Sequence, residues 1–275
     1  MPRPPLTIDP NKLLLIAGPC VIETAEQCFA IAEHVVGATK SLPVQYVFKA
    51  SFDKANRSSG SSFRGPGLEK GLAILQQVKD RFGLPVLSDI HEAEQAAPAA
   101  EVLDILQIPA FLARQTDLLE ACGRTGRTIN IKKGQFMAPA EMANAIAKMK
   151  AVGNENVLLC ERGTFFGYGR LVNDFTGLAL MKALGKPVVF DVTHSTQLPA
   201  GQGTTSGGCP QYSPLLARSA IASGCVDGLF LECHPDPKNA KSDAATVLDL
   251  QTVGPLLRQC AELFAMRSTW PEVKS

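Results

Sequence analysis

The sequence predicts a (β/α)8 TIM barrel, an α/β fold in which eight parallel strands alternate with eight helices. Short runs of β-branched and other apolar residues recur along the chain, and segments with helical periodicity separate them. Eight such units in about 250 residues is the usual count for this fold. No linker or low-complexity stretch interrupts the pattern, so we expect a single catalytic domain over residues 1–275. A doubly wound sheet is the alternative topology.

The two kinds of segment can be placed along the chain from their residue patterns. The predicted strands cover residues 12–19, 46–51, 85–90, 105–110, 128–132, 157–162, 187–194 and 228–234. The predicted helices cover residues 25–39, 67–81, 93–103, 116–125, 140–152, 175–184, 212–223 and 243–264. Little chain precedes the first strand, so we expect little to cover the bottom of the barrel.

Composition and charge limit the classes of function. Hydrophobic residues make up 45% of the 275 residues, and the formal net charge is +1. A nucleic-acid or membrane partner would require a dominant positive field, so we expect neither. The apolar run at 13–17 is too short to span a membrane and lacks the layout of a secretory signal, which predicts a cytoplasmic protein. Eight cysteines without a C-x-x-C pair predict reduced thiols.

A phosphate-binding motif is predicted at residues 49–59, which read K-A-S-F-D-K-A-N-R-S-S directly after an apolar run. Ammonium groups, a guanidinium fork and hydroxyls supply charge-assisted donors of different reach, which suit a phosphorylated substrate. A solvated basic loop is the alternative for such a stretch alone. The predicted fold favours the site, because active sites of this barrel collect at the carboxyl ends of the strands.

Positive charge is concentrated on three units of the predicted rim. Lys49, Lys54, Lys132 and Arg162 would share one cavity, an arrangement that is hard to stabilise without bound anions. Because successive side chains of a strand point to opposite faces, we expect Lys132 rather than Lys133 to point inward. Asp89, at another strand end, either has a direct catalytic role or orients a lysine or the substrate.

A second set of rim residues is typical of a metal site. Cys20, His194, Glu232 and Asp243 offer a thiolate, an imidazole and two carboxylates, which suit a divalent metal ion such as Zn²⁺, Fe²⁺ or Mn²⁺. The first and eighth strands of a closed barrel are neighbours, so these residues can converge. A structural cysteine and a merely hydrogen-bonded histidine are the alternatives.

Several motifs closely resemble the family of 3-deoxy-D-manno-octulosonate 8-phosphate synthases. They are I-A-G-P-C at 16–20, the motif at 49–59, S-F-R-G-P-G-L at 62–68, Q-I-P-A-F-L-A-R-Q-T-D-L-L at 107–119, N-I-K-K-G-Q-F at 130–136, D-V-T-H at 191–194 and E-C-H-P-D-P at 232–237. The resemblance implies a barrel enzyme that condenses phosphoenolpyruvate with D-arabinose 5-phosphate and water, for lipopolysaccharide synthesis. It also implies a homotetramer. A cysteine at the position of Cys20 is typical of the metal-dependent branch of the family, so the resemblance implies that this chain belongs to that branch.

The resemblance assigns a role to each matching position. Metal ligands would be Cys20, His194, Glu232 and Asp243; phosphoenolpyruvate would meet Lys49, Ser51, Lys54, Gln107, Lys132 and Arg162; arabinose 5-phosphate would meet Asn56, Arg57, Ser58, Arg114 and Ser206. In the family, the arginine at the position of Arg114 reaches across from a neighbouring subunit. Lys54, Lys132 and His194 would be catalytic residues, together with Asp89, which is included because of its position at a strand end.

Two other functions remain open at this stage. The related 3-deoxy-D-arabino-heptulosonate 7-phosphate synthases condense erythrose 4-phosphate instead, although their second motif usually reads K-P-R-T. A barrel that binds sugar phosphates without turnover is the non-enzymatic alternative, since a fold does not determine a function. The loop at 167–174 departs from the family pattern at Arg170 and Asn173, which could alter assembly.

Overall fold

The computed structural model describes residues 4–55, 62–199 and 207–270. Within them, eight parallel strands close into a barrel, because the first strand pairs with both the second and the eighth. The strands are β1 Leu13–Gly18, β2 Val44–Lys49, β3 Val86–Asp89, β4 Ile105–Ile108, β5 Thr128–Lys132, β6 Val157–Glu161, β7 Val188–Asp191 and β8 Gly228–His234. The predicted TIM barrel is confirmed.

Eight α-helices surround the barrel in the described part of the chain. They are α1 Ala25–Thr39, α2 Leu68–Phe82, α3 Ala96–Ala100, α4 Thr116–Arg124, α5 Met142–Ala151, α6 Phe175–Lys182, α7 Ser213–Ala222 and α8 Leu250–Met266. Local chemistry sets several ends. The Thr24 hydroxyl accepts a hydrogen bond from the Gln27 amide at the start of α1. Gly83 ends α2 in the left-handed conformation that glycine adopts at little cost.

Most predicted boundaries are correct within a few residues, but two helices differ. The segment predicted as a helix over 93–103 forms a 3₁₀ turn, Ala93–Gln95, followed by the short α3. The helix predicted over 243–264 begins instead at Leu250, where the Asp249 carboxylate caps it by accepting from the Gln251 amide. Asp243 lies in the preceding loop with a φ of 50°. The helical periodicity was therefore extended too far towards the amino terminus.

Strand alternation divides the apolar residues between two cores. Residues such as Leu13, Leu15 and Ile129 face the helices, whereas Leu14, Ile16 and Phe230 fill the barrel interior. Helices cover the outer face of every strand, so both faces are buried, as is usual for parallel sheets. Inward positions nearest the carboxyl ends carry polar side chains instead, and these form the site.

The bottom of the barrel is covered by the residues before β1, which corrects the expectation that little would cover it. Leu6 and Ile8 pack against the interior cluster. The Thr128 hydroxyl donates to the Leu6 carbonyl, and the Gln45 side chain donates to the Thr7 carbonyl. A short segment suffices because the interior of an eight-stranded barrel is filled by side chains and presents only a narrow end.

The remaining features are small. A two-stranded antiparallel hairpin, Thr164–Gly167 with Arg170–Val172, follows β6, and it contains the departures noted at Arg170 and Asn173 or lies beside them. All eight cysteines are free thiols, as predicted. Among the described residues, no helix combines the length and apolar character required to cross a membrane.

Candidate active site

Inward-pointing polar side chains from several strands meet at the carboxyl end of the barrel, here called the mouth. Alternation places Gln107, Lys132 and Asp191 on the inner face, because the residues next to them in sequence face the helices. The prediction that Lys132 points inward is confirmed, since its ammonium group lies 2.6 Å from Asp191 inside the barrel. Lys133 is buried on the other side, where it donates to the carbonyl of Met137.

The predicted metal ligands do converge. The ligand atoms of Cys20, Glu232 and Asp243 all lie within 4.8 Å of one another, so these residues could hold a metal ion. His194 completes the group: its Nε2 lies 3.7 Å from Asp243 Oδ2 and 3.8 Å from Glu232 Oε2. Separations of about 3–4 Å between donor atoms are those of ligands around one tetrahedral zinc ion.

The hydrogen bonding of these residues tests whether a cation fits. Glu232 Oε2 is buried and accepts no hydrogen bond in the described part of the chain, an expensive state for a carboxylate oxygen. The Cys20 thiol donates to Asp243 Oδ2 at 3.0 Å, and Ser242 Oγ lies 2.8 Å from the sulfur. A thiol, an imidazole and two carboxylates with one unsatisfied oxygen are a donor set that a borderline divalent ion would satisfy.

The electrostatics of the ligands agree with that fit. Burial raises the pKa of the Cys20 thiol well above its ordinary value, and the charges of Asp243 and Glu232 raise it further. A nearby cation is therefore needed to stabilise the thiolate form. Burial opposes the charge of Asp243, but His194 beside it and the charge of Lys54 outweigh burial and lower the pKa of this carboxyl.

The backbone at Asp243 is held in an uncommon conformation. Its φ of 50° lies in the left-handed region, which non-glycine residues rarely adopt. The amides of Thr246 and Val247 both donate to the Asp243 carbonyl, at 2.8 and 3.0 Å, and fix the turn. Strained residues of this kind concentrate at functional sites. Here the turn directs the carboxylate towards Cys20 and His194.

His194 is oriented by a residue to which the sequence analysis assigned no role. The Asp191 carboxylate is fully buried and lies 2.7 Å from His194 Nδ1, while the His194 amide also donates to it at 2.9 Å. Nδ1 therefore carries the proton and Nε2 faces the metal ligands. Burial lowers the pKa of His194, but Asp191 outweighs it, so the pKa is raised overall. The signal was the position of Asp191 at a strand end in D-V-T-H.

Cationic side chains occupy the rest of the mouth. Lys132 lies over the Phe230 ring at 3.8 Å as well as against Asp191. Lys54 lies 3.5 Å from Asp89 Oδ2 and 4.0 Å from Glu232 Oε1. Burial lowers the pKa of Lys54, but the charges of Asp89 and Glu232 raise it well above its ordinary value. Burial also lowers the pKa of Lys132, and the charge of Asp191 outweighs it and raises that pKa. Both lysines are therefore positively charged at neutral pH.

Arg162 is a mouth cation with spare hydrogen-bonding capacity. It is 4% exposed, and its Nη2 donates to Gln197 Oε1 at 2.6 Å. Its Nη1 is buried without an acceptor in the described chain. Burial lowers the pKa of this guanidinium, and the charges of Asp191 and Asp243 only partly compensate. A buried, half-satisfied guanidinium is suited to bind an anion.

Asp89 is the centre of a polar network rather than an isolated acid. Ser51 Oγ donates to Asp89 Oδ2 at 2.5 Å, and Gln107 Nε2 donates to Oδ1 at 2.6 Å. The Asn130 amide in turn donates to Gln107 at 2.8 Å. Burial alone would raise the pKa of Asp89, but Lys54 and the other mouth cations lower it well below its ordinary value. The carboxylate is therefore ionised.

The other predicted site residues are placed differently. Lys49 is at the end of β2, with its three donors directed to protein acceptors. Arg114 is exposed and lines a surface cleft of about 340 Å³ with Glu141 and Lys148, and none of the potential metal ligands lines that cleft. Asn56, Arg57, Ser58 and Ser206 lie outside the described residues, so their roles stay predictions.

Fold and site together define a class of protein: (β/α)8 barrels in which buried cationic side chains line the mouth beside a set of potential metal ligands. Residues 7–268 match the family model described as the DAHP synthetase I family. The chain belongs to this family.

Proteins named 2-dehydro-3-deoxyphosphooctonate aldolase are among its similar relatives. One from Desulfatibacillum aliphaticivorans is 56% identical over 247 residues, 90% of each chain. One from Syntrophotalea carbinolica is 57% identical over 256 residues, covering 93% of this chain and 92% of that protein. A third, from Cyanothece sp., is 52% identical and covers 96% of both chains.

Proposed function

We propose that this protein is a metal-dependent 3-deoxy-D-manno-octulosonate 8-phosphate synthase, which condenses phosphoenolpyruvate with D-arabinose 5-phosphate and water and releases inorganic phosphate. The observation that carries the proposal is the joining of two sets of residues in one mouth. Four potential metal ligands, Cys20, His194, Glu232 and Asp243, lie beside the mouth cations Lys54, Lys132 and Arg162. The names and extent of similarity of the relatives support the same reaction.

Phosphoenolpyruvate carries two anionic groups, and the mouth offers complementary cations. We assign the unsatisfied Nη1 of Arg162 to its phosphate, since a guanidinium fork matches phosphate geometry. Lys54 and Lys132 supply the remaining positive charge for the carboxylate and phosphate. Ser51 and Gln107 border this site through Asp89, whose position they fix.

Arabinose 5-phosphate is assigned to residues of the basic motif that follow Lys54. Asn56, Arg57 and Ser58 come two to four positions after Lys54 in the sequence and lie outside the described residues. We assign its arginine to the terminal phosphate of the sugar, and Ser206 and Arg114 to further contacts. Arg114 is exposed and separate from the metal ligands in one chain, which fits a contribution to the site of a neighbouring subunit.

In the proposed reaction, C3 of phosphoenolpyruvate forms a bond to the aldehyde carbon of the sugar. Water adds at C2, and the tetrahedral intermediate then loses phosphate as the C2–oxygen bond breaks. Lys54 and Lys132 stabilise the negative charge that develops on the aldehyde oxygen and on the departing phosphate. Asp191 keeps the proton of His194 on Nδ1, so that Nε2 remains a ligand and not a donor.

A divalent ion bound by Cys20, His194, Glu232 and Asp243 would act as a Lewis acid that orients and polarises the sugar aldehyde. The buried Glu232 oxygen without a partner and the thiol beside Asp243 are the features that fit such an ion. Zinc, iron and manganese all tolerate this donor set, so availability would decide among them.

A second candidate function is the heptulosonate synthase reaction with erythrose 4-phosphate, because the matching family model is described by that activity. The sequence K-A-N-R-S-S at residues 54–59 argues against it, because the heptulosonate synthases usually have K-P-R-T in this motif. The two reactions share phosphoenolpyruvate and differ only in the sugar phosphate, so one assay separates them.

The test is phosphate release from phosphoenolpyruvate by purified protein, with arabinose 5-phosphate or erythrose 4-phosphate, before and after chelation with metal add-back. We expect release with the five-carbon sugar, its loss on chelation, and recovery with a divalent ion. Release that survives verified metal removal would contradict metal dependence. Preference for erythrose 4-phosphate would establish the second candidate, and no release with either sugar would favour a non-catalytic binding protein.

A further inference from the structure

Lys49 lies at the end of β2 with its side chain fully buried, at 0% exposure, beneath the metal ligands. Its ammonium group donates to the Cys20 carbonyl at 2.8 Å, to the Pro19 carbonyl at 3.3 Å and to Glu232 Oε1. An ammonium group has three donors, and all three are therefore used within the protein. The other mouth cations differ: the side chains of Lys54 and Lys132 are 12% and 8% exposed, and Arg162 has an unused donor.

The bond to Glu232 determines which of its oxygens faces the metal site. Oε1 is occupied by Lys49, with Lys54 at 4.0 Å. Oε2 has no partner in the described chain and lies 3.8 Å from His194 Nε2. With Oε1 held by Lys49, the free oxygen is directed at the ligand cluster. The hydrogen bond therefore orients a ligand, as outer-sphere partners of metal sites commonly do.

The same ammonium group also holds the backbone that carries the thiol. The segment after β1 turns over the end of β2, where the backbone amide of Ser51 donates to the Cys20 carbonyl at 3.4 Å and Val21 pairs with Ser51. Lys49 adds a shorter, charged bond to that carbonyl. One side chain therefore links Cys20 and Glu232, which come from the first and eighth strands.

Charge gives the lysine a second reason to be there. With a divalent ion bound, a thiolate and two carboxylates would leave the cluster one negative charge in excess. A buried charge needs a partner, and the Lys49 ammonium group is the one in direct contact with a ligand carboxylate. Positive charge next to the cluster would also favour the thiolate form of Cys20.

We infer that Lys49 is a positioning residue of the metal site, which holds Cys20 and Glu232 at the spacing and charge that a divalent ion requires, and that it does not bind phosphoenolpyruvate directly. This inference rests on the metal site of the proposed function. It replaces the substrate contact expected from the sequence, because a contact with phosphoenolpyruvate would require breaking one of three buried hydrogen bonds.

The experiment measures Co²⁺ binding by protein stripped of metal, by competition with a chelating dye and by the thiolate-to-cobalt absorption band. The variant is Lys49→Met, and the matched control is Lys133→Met. Lys133 is equally buried and donates to Gly134, Met137 and Thr164, but it contacts no metal ligand. We expect Lys49→Met to weaken Co²⁺ binding by about 10- to 100-fold and to shift the band, whereas Lys133→Met leaves both unchanged.

Kinetics with saturating metal separate the two roles of Lys49. A positioning role predicts that KM for phosphoenolpyruvate stays within about threefold while the metal requirement rises. A folded Lys49→Met protein that binds Co²⁺ as tightly as the wild type and loses only phosphoenolpyruvate affinity would overturn the inference. If Lys49→Met does not fold, Lys49→Gln, which retains one hydrogen-bonding amide, must show the same loss of Co²⁺ affinity.

Failure of the proposed function would look different. Wild-type protein without a thiolate-to-cobalt band would refute the metal site itself, and this inference with it. Wild-type binding that Lys49→Met and Lys49→Gln both retain would refute the role of Lys49 alone and leave the metal site standing.

Discussion

Asp191 is the residue that connects the two halves of the site. Its buried carboxylate accepts from Lys132 Nζ at 2.6 Å, among the mouth cations, and from His194, among the potential metal ligands. Burial opposes ionisation, yet His194 and Lys132 outweigh it and hold the pKa of Asp191 far below its ordinary value. A permanently charged carboxylate can therefore keep both neighbours oriented.

We predict that Asp191→Asn lowers kcat by about 10- to 100-fold, because a neutral amide has no negative charge to pair with Lys132 and His194. The NH₂ group would also replace one of the two accepting oxygens, so that a donor would lie against another donor. Steady-state phosphate release and Co²⁺ affinity would both be measured, and we expect both to fall. The control is Asp227→Asn, a carboxylate at the opposite end of the barrel that accepts from Lys182 and the Val188 amide. Activity of Asp191→Asn within twofold of the control would contradict the role.

Single residues also show where sequence reasoning succeeds. The inward position of Lys132 follows from the two-residue period of a strand, and the structure confirms it. The hydrogen bonds from Ser51 and Gln107 to Asp89 could not be predicted from the period of a strand. Those contacts depend on which strands are neighbours and on the stagger between them, which no local pattern contains.

At the scale of elements, the close approach of β1 and β2 sets the geometry beneath Cys20. A Cβ atom at Gly18 would lie 2.0 Å from the Lys49 carbonyl oxygen, far inside any normal contact. The obstacle is backbone, so it cannot move aside as a side chain can. Glycine is therefore required at this position, which lies two residues before Cys20 and beside the strand that carries Lys49.

We predict that Gly18→Ala lowers the free energy of unfolding by about 1–3 kcal/mol, since the strands must separate to admit the methyl group. Gly37→Ala in α1 is the matched control, because a Cβ there would meet nothing within 4 Å. Alanine favours a helix more than glycine, so this control should gain about 0.5–1 kcal/mol. Urea unfolding of both variants would measure the difference, and equal stability of Gly18→Ala and wild type would refute the argument.

The loop that carries Asp243 is the element that the sequence placed least well. Periodicity predicted a helix from residue 243, but residues 243–247 lie outside any helix or strand, with a left-handed turn at Asp243, and Leu248–Asp249 pair with the end of β8 before α8 begins. Had the helix begun at 243, the carboxylate would sit in a first helical turn and not in the turn that points at Cys20. The functional conformation therefore overrode the local helical preference.

For the whole molecule, barrel closure gathers residues from the first and eighth units into one cluster. Two aromatic side chains near Arg114 are exposed on the outside of the barrel. Phe111 is 50% exposed and Phe136 is 45% exposed, in the segments that follow β4 and β5. The two segments touch near Gly134, whose Cβ would meet both the Phe136 ring and the Ala110 carbonyl. Exposed aromatic side chains that lie close together often mark an interface.

We predict a homotetramer in which this surface is buried, with a mass in solution of about four times 29.3 kDa. Phe111→Asp combined with Phe136→Asp should dissociate it and raise KM for arabinose 5-phosphate, because Arg114 would then be missing from the neighbouring site. Analytical ultracentrifugation would measure the mass. Met266→Asp, an exposed position in α8 on the opposite side of the barrel, is the control. A wild-type monomer with full activity would refute the prediction.

The sequence alone determined the alternation of eight strands and eight helices and the inward position of Lys132, and its residue types predicted an anion site and a metal site. These properties follow from periods of two and 3.6 residues and from side-chain chemistry, which are local. Only the tertiary structure decided that Lys49 is tied to Cys20 and Glu232, that Asp191 serves both Lys132 and His194, and that residues before β1 cover the bottom. Those contacts join segments from different strands across the barrel, and their geometry exists only once the barrel has closed.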